Sequence, residues 1–353
     1  MKGSRRGRFV AEWQRAHRYR PVTQTDVARA AEVSASTVSR VLAGVDAGIP
    51  HGTRDRVLRI AQEMGYRRNA IAVGLKRNAT DTIGFVSDVI ASTPHAGAMV
   101  QGSQDAAWER GKVLLLMNSG GDPEVEERAI LTMLDRRVDG IIYATMYHQY
   151  RDVPELLDLV PTVLLDIRAP RGNHPSVTPD EFAGARQATS HLVGLGHQRI
   201  GFVTSSADIP AAHERIAGYR GALMDAGLEF DQTLVAADID EFDGGVRAGG
   251  AIIDRCPDVT AMFCFNDRMA AGAIRAARVA RRRVPDDLSV VGIDNQELVA
   301  LMTDPPLSTF QLPHYKMGRW AVETLLDAPT VARRVEHRIP LEFVQRESTA
   351  SLS

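Results

Sequence analysis

Ala35, Ser36, Ser39 and Arg40 recur at the spacing of one helical face, where they present a methyl group, two hydroxyls and a guanidinium. Such groups read base edges in a DNA major groove: arginine donates two hydrogen bonds to guanine O6 and N7, serine reads either way, and an alanine methyl suits thymine. Arg40 is the candidate base contact, with a phosphate clamp as its alternative, since many arginines at such interfaces bind backbone. Thr23, Gln24, Ser34, Thr37 and Ser39 are candidate phosphate or groove contacts, some of them serving only as helix caps.

The elements that must hold this face are two short helices joined by a tight turn over residues 22–42. Thr23 is placed to cap the first, with Asp26 answering as a capping box, and Ser34 to cap a second that begins at Ala35. Val27, Ala31, Val33, Val38 and Leu42 form an apolar seam. An ordinary helical hairpin shows the same pattern, so the flanks decide. A third helix is predicted over residues 53–64, with Val57, Ile60, Ala61 and Met64 at helical spacing and Gly65 as its stop. Residues 1–80 carry 16 Lys and Arg against 6 Asp and Glu, leaving 26 against 38 for the rest of the chain. A basic end on an acidic body draws that end to phosphate. The expected organisation is a basic, disordered extension over 1–21, a helix-turn-helix DNA-binding head over 22–66 and a short basic hinge over 67–80.

From residue 82 apolar strands alternate with amphipathic helices, the pattern of parallel βαβ units. Strands are predicted at 83–86, 113–117, 140–143, 162–165, 200–203, 234–236, 261–265 and 290–293, and helices at 100–110, 124–136, 181–195, 216–226, 245–255 and 269–278. The series divides near 177–180 into similar halves. The fold class is therefore a small all-α head joined by a hinge, which the family resemblance given below makes a hinge helix, to an α/β core, 81–353, of two doubly wound parallel-sheet lobes. Lobe 1 is assigned 81–179 plus 310–339, and lobe 2 180–309 plus 340–350. The polar tail contains no heptad repeat for a coiled-coil tetramer.

Ligands of such lobes bind beyond the carboxyl ends of parallel strands. That rule selects Asp88, Asn118, Asp166, Asn266 with Asp267, and Asp294 with Asn295, alongside serines at 87, 119, 205 and 206. Helix capping is the alternative for Asn266 and Asp267, and loop ordering for Asp88 and Asp166. No apolar run reaches membrane-spanning length and no secretory core follows the N-terminus, so a cytoplasmic protein, nucleoid-associated when on DNA, is expected. Cys256 and Cys264 have neither metal nor redox spacing, and the histidines show no metal grouping. With no nucleophile elbow and no phosphate-binding glycine loop, neither enzyme nor cofactor is indicated.

The chain closely resembles the lac repressor family of bacterial transcription regulators from about residue 22 to 350. The motifs are Asp-Val-Ala-Arg-Ala-Ala (26–31), Val-Ser-Ala-Ser-Thr-Val-Ser-Arg-Val-Leu (33–42), Met-Gly-Tyr (64–66), Asn-Ala-Ile-Ala (69–72), Arg-Arg-Val-Asp-Gly-Ile-Ile (136–142), Leu-Gly-His-Gln-Arg-Ile-Gly-Phe (195–202), Arg-Ile-Ala-Gly-Tyr (215–219), Phe-Asn-Asp (265–267), Val-Gly-Ile-Asp (291–294) and Pro-Pro-Leu-Ser-Thr (305–309). The resemblance implies a homodimer on a near-palindromic double-stranded operator, and a core like periplasmic sugar-binding proteins. It implies a hinge, helical only on DNA, that contributes Asn69, Ala72 and Leu75, the last as a minor-groove wedge. Ala35 and Ser36 fall where the family chooses among operators. Arg215 matches an arginine the family uses on effector, and Asn266 and Asp294 are favoured as hydroxyl-binding groups.

Departures from the family pattern stand out. Glu32 replaces the usual turn glycine and must itself adopt any positive φ. Ile49-Pro-His-Gly-Thr precedes helix three, which is expected to start differently. Gly74 lowers hinge helicity by ~1 kcal/mol relative to alanine. The segment after the first core strand lacks the family's ligand-stacking aromatic; either His95 substitutes or the effector is small and not stacked. The expected function is a transcriptional regulator, a repressor, whose operator affinity follows a small carbohydrate or polyol bound between the lobes. The alternatives are a transport-type solute-binding protein and a nucleoside- or purine-responsive corepressor-type regulator.

Overall fold

The computed structural model describes residues 21–45, 48–67, 79–90, 97–327 and 335–352. The chain forms two compact units divided between Thr80 and Asp81.

The first unit is a helical head of α1 (Gln24–Ala31), α2 (Ala35–Leu42) and α3 (His51–Glu63). α1 starts where the Thr23 hydroxyl accepts the Asp26 amide at 3.3 Å and the Asp26 carboxylate accepts the Thr23 amide at 3.0 Å, a reciprocal capping box. It stops where Glu32 turns left-handed, with φ 54°, and its N–H closes onto the Ala28 and Arg29 carbonyls. That conformation costs a residue with a side chain about 1 kcal/mol. Ser34 then caps α2 by accepting the Thr37 amide at 3.1 Å. α3 begins at His51, earlier than expected, behind Pro50 and without a side-chain cap. Val27, Ala31, Val38, Val57 and Ile60 close the core. Val41, one turn after Val38, is buried in the seam, and Leu42 packs only at its margin.

The second unit has two six-stranded sheets. In chain order its elements are β1 (Thr82–Ser87), α4 (Gly97–Glu109), β2 (Val113–Asn118), α5 (Pro123–Asp135), β3 (Gly140–Tyr150), β4 (Thr162–Arg168) and β5 (Ser176–Pro179). Then come α6 (Glu181–Gly194), β6 (Ile200–Ser205), α7 (Pro210–Asp225), β7 (Val235–Asp238), α8 (Phe242–Arg255), β8 (Ala261–Cys264), α9 (Asp267–Val279) and β9 (Ser289–Asp294). The last are α10 (Glu297–Ala300), β10 (Ser308–Gln311), α11 (His314–Asp327), β11 (Glu336–Ile339) and β12 (Glu342–Val344).

Sheet one runs β11-β5-β4-β3-β1-β2, all parallel. One face buries Ile83, Phe85 and Ile142 under α4 and α11, the other Val86, Ile141 and Tyr143 under α5. Sheet two runs β12-β10-β9-β8-β6-β7, parallel except for the antiparallel edge pair β10 and β12. Its faces pack Met262 and Val290 under α8 and α9, and Phe202 and Phe263 under α6 and α7.

The chain crosses between lobes after β5, after β10 and after β11. Phe310 and Gln311 thus pair in the second sheet, correcting the assignment of residues 310 onward to lobe 1. β5, β10, β11 and β12 have only three or four residues each, too few to show a period in sequence. β3 is longer than its apolar run suggests and carries a register shift between Ala144 and Gln149. Cys256 and Cys264 are buried and unpaired. Among the described residues no helix is long and apolar enough to cross a membrane.

Candidate functional site

On the head, Ser34, Ala35, Ser36 and Arg40 are exposed along α2, and Thr37 and Ser39 are half-buried there, as are Thr23 and Gln24 at the start of α1. Ala35 with Ser39 and Ser36 with Arg40 are each four residues apart, so they share one face. The Ser34 hydroxyl shares hydrogen bonds with those of Ser36 and Thr37, each at 2.8 Å, and the Thr23 hydroxyl donates to Asp26 at 2.6 Å. Thr23 and Ser34 therefore serve as caps. Arg40 has no ion-pair partner among the described residues and is exposed. Asn69, Ala72 and Leu75, the arginines of residues 1–20 and His95 lie outside the described residues.

In the core, a narrow cleft of about 40 Å³ lies between the lobes. Met146, Tyr147, His148, Asp166, Pro179 and His314 line it from the first lobe; Glu181, Ala211, Arg215, Phe265, Asn266, Arg268 and Asp294 line it from the second, with Leu312 at a crossover. Four expected residues, Asp166, Arg215, Asn266 and Asp294, are thereby brought together. Asp88 and Asn118 are not in the lining. Asp88 accepts the Met146 amide at 3.1 Å and the Val89 amide at 2.6 Å, so it orders the loop and anchors the irregular part of β3. Asn118 accepts the Ser87 hydroxyl at 2.6 Å, tying β2 to β1.

The four differ in what they leave open. Arg215 is buried, and each of its three guanidinium nitrogens is engaged: Nε and Nη2 donate to Glu181 at 2.7 and 3.1 Å, and Nη1 donates to the Phe265 carbonyl. Its guanidinium stacks 4.4 Å from the Phe265 ring centroid. Arg215 thus builds the wall rather than offering an open fork, and burial raises the carboxyl pKa of its partner Glu181. Asn266 caps α9, accepting the Met269 amide and donating to the Asp240 carbonyl, both at 2.8 Å. Asp267 beside it is buried and holds Thr309 and the Gln296 amide. Asp294, with φ 116°, takes a hydrogen bond from Gln296 at 2.8 Å, and burial raises its pKa.

Asp166 also sits at positive φ, 62°, in a buried position, and its Oδ1 has no partner among the described residues. Burial, then the nearby Glu181 charge, push its pKa well above the ordinary carboxyl range. His148, like Glu181, Tyr147 and Arg268, is a lining residue that sequence reasoning missed. It is buried in the cleft wall, neither ring nitrogen has a partner among the described residues, and burial pushes its pKa down to about 3. Strand-end rules cannot find it, because it projects from the irregular stretch of a strand whose apolar run ends at Tyr143. Among the described residues no cluster of three or more His, Cys, Asp or Glu is arranged to hold a metal.

A capped reading helix on one unit and a polar cleft between two α/β lobes on the other define a DNA-binding regulator with a small-molecule site. Residues 23–69 match the model for bacterial regulatory proteins of the lacI family, and residues 189–349 that for a periplasmic binding protein-like domain. The chain is 34% identical over 328 residues to the ribose operon repressor of Escherichia coli (strain K12), covering 92% of this chain and 98% of that one. It is similar to the solved complex of the transcriptional regulator CelR with cellobiose, with TM-score 0.66, 33% identity and coverage of 93% and 99%. It is also similar to the lac repressor dimer bound to operator and the anti-inducer ONPF, with TM-score 0.75, 26% identity and coverage of 94% and 100%. The chain belongs to the lacI family of bacterial transcriptional regulators.

Proposed function

We propose that this regulator is a cytoplasmic repressor that binds a near-palindromic operator as a homodimer and yields to, or is recruited by, a neutral sugar or polyol in the interlobe cleft. The observation that carries this reading is the cleft itself. Asp166, Asn266 and Asp294 converge there beside the Arg215–Glu181 pair, and acids and amides in that arrangement suit ligand hydroxyls, each of which donates and accepts. The ribose operon repressor and the cellobiose complex of CelR belong to relatives and lend support by similarity. Leu298, Leu301 and Met302, 74%, 58% and 81% exposed, form an apolar patch of the kind a second copy covers.

The test is binding of the full chain to DNA selected from a random-sequence pool, across salt concentrations, with and without sugars. Expected are a linear fall of log affinity with log salt and a change in affinity with at least one sugar. Removal of residues 1–80 should abolish operator binding and spare ligand binding. A chain that bound ligand but showed no salt-sensitive specific DNA complex would sink the regulator reading in favour of a solute-binding protein.

A further inference from the structure

Most polar groups around the cleft are already satisfied by the protein. Arg215 has each guanidinium nitrogen engaged by Glu181 or the Phe265 carbonyl, Asn266 caps a helix, and Arg268 pairs through its terminal nitrogens with Asp240 and Glu241, its Nε alone lacking a partner among the described residues. Two side chains of the first lobe are exceptions. His148, 2% exposed, has no partner at Nδ1 or Nε2 among the described residues, and Asp166, also 2% exposed, has none at Oδ1. Leaving such groups unmet in a buried site is costly, so their complement is expected in the ligand.

We propose that His148 is the specificity-determining residue of the first lobe, binding a hydroxyl pair of a neutral polyol effector through its two ring nitrogens, with Asp166 Oδ1 as the second open group on that lobe. This rests on the sugar-effector reading above and goes further by naming the discriminating side chain. Burial holds the imidazole neutral, its pKa down to about 3, so it carries one N–H donor and one lone pair. An anionic group can meet only the donor and leaves the imidazole lone pair unmet. A hydroxyl can donate to the lone pair or to Asp166, and its neighbour can accept from the N–H. Arg168, Arg338 and Arg215 lie close enough to help depress the His148 pKa, but the first two share Glu214 and the third pairs with Glu181, which offsets their pull on an anion.

The experiment uses the full chain and a thermal-shift panel of D-ribose, D-galactose, D-glucose, cellobiose, D-mannitol, D-ribose 5-phosphate and D-glucose 6-phosphate, followed by calorimetric Kd values. A neutral member should bind, and His148→Leu should weaken it about tenfold or more with the ligand-free Tm retained. His148→Gln keeps a donor and an acceptor; it should recover part of the affinity and narrow the gap between the sugar and its deoxy analogues. It carries the test if the leucine variant does not fold. An unchanged Kd in the leucine variant, or an unchanged deoxy gap in the glutamine variant, overturns the role of His148 and leaves the sugar reading standing. Binding of the phosphorylated sugars alone overturns the selectivity. No binding by any member overturns the sugar reading itself, and the inference with it.

Discussion

Arg168 at the end of β4 and Glu214 on α7 meet at 2.6 Å across the cleft, one from each lobe. Arg338 on β11 adds a second first-lobe cation 3.5 Å from the same carboxylate. Arg168 is only 7% exposed, and its Nε and Nη2 have no partner among the described residues, so Glu214 is its sole described counter-charge. Removing one member of such a pair strands a buried charge, whereas removing both together costs far less. Glu214→Gln should therefore lower unfolding free energy by about 3 kcal/mol, read as a lower urea midpoint. The double variant Arg168→Leu with Glu214→Leu should lose much less than the two single changes summed. Strict additivity would show that this contact does not couple the lobes.

Arg40 is exposed on α2, four residues from exposed Ser36. If it reads a guanine, Arg40→Ala should cost ~1 to 3 kcal/mol at one operator position and flatten the base preference there. Competition binding against every single-base variant of the selected operator separates the cases. A uniform loss across all variants would make Arg40 a phosphate clamp.

Thr23 caps α1 within a complete capping box, which predicts a structural cost independent of DNA. Thr23→Ala should destabilise the head by about 1 kcal/mol, and Thr23→Ser should retain nearly all of it, because the serine hydroxyl makes the same bond. Circular dichroism melts without DNA report this directly. A stable alanine variant with weakened operator binding would instead make Thr23 a DNA contact.

The head was legible in sequence because its signals are local. Thr23, Asp26 and Ser34 act within three residues, and Val27, Val38 and Ile60 announce their faces by period. Glu32 shows how far that goes: the turn forms without glycine, because the backbone closure onto Ala28 and Arg29 sets the φ. The cleft was half legible. Asp166, Asn266 and Asp294 stand at the carboxyl ends of strands, but Asp88 and Asn118 stand at equivalent ends and are turned to loop and strand contacts. Which strand ends face the cleft depends on where the chain crosses between lobes, a long-range property. His148 and Glu181 were missed for different reasons. One projects from an irregular strand, and the other looks like a first-turn helix acid until Arg215 folds onto it.

His148 makes the ligand-free protein acid-sensitive in a way that can be isolated. Its folded pKa lies at about 3 against an ordinary value of 6.5, so between those limits the unfolded chain binds the extra proton. Stability from this group is therefore full above pH 6.5 and falls as pH drops toward 3, amounting to about 2 kcal/mol lost at pH 5. The carboxyls Asp166, Glu181 and Asp294, with raised pKa values, act in the opposite sense, favouring the folded state as pH falls and losing that contribution as pH rises. They remain in the His148→Leu variant, so the difference between the two proteins removes them. Urea unfolding at pH 7.5 and pH 5 should show wild type losing about 2 kcal/mol more than the variant. Equal losses would mean that the folded state protonates His148 readily, and an imidazole that accepts a proton there has a charged partner or water at its nitrogens rather than an open site for a hydroxyl.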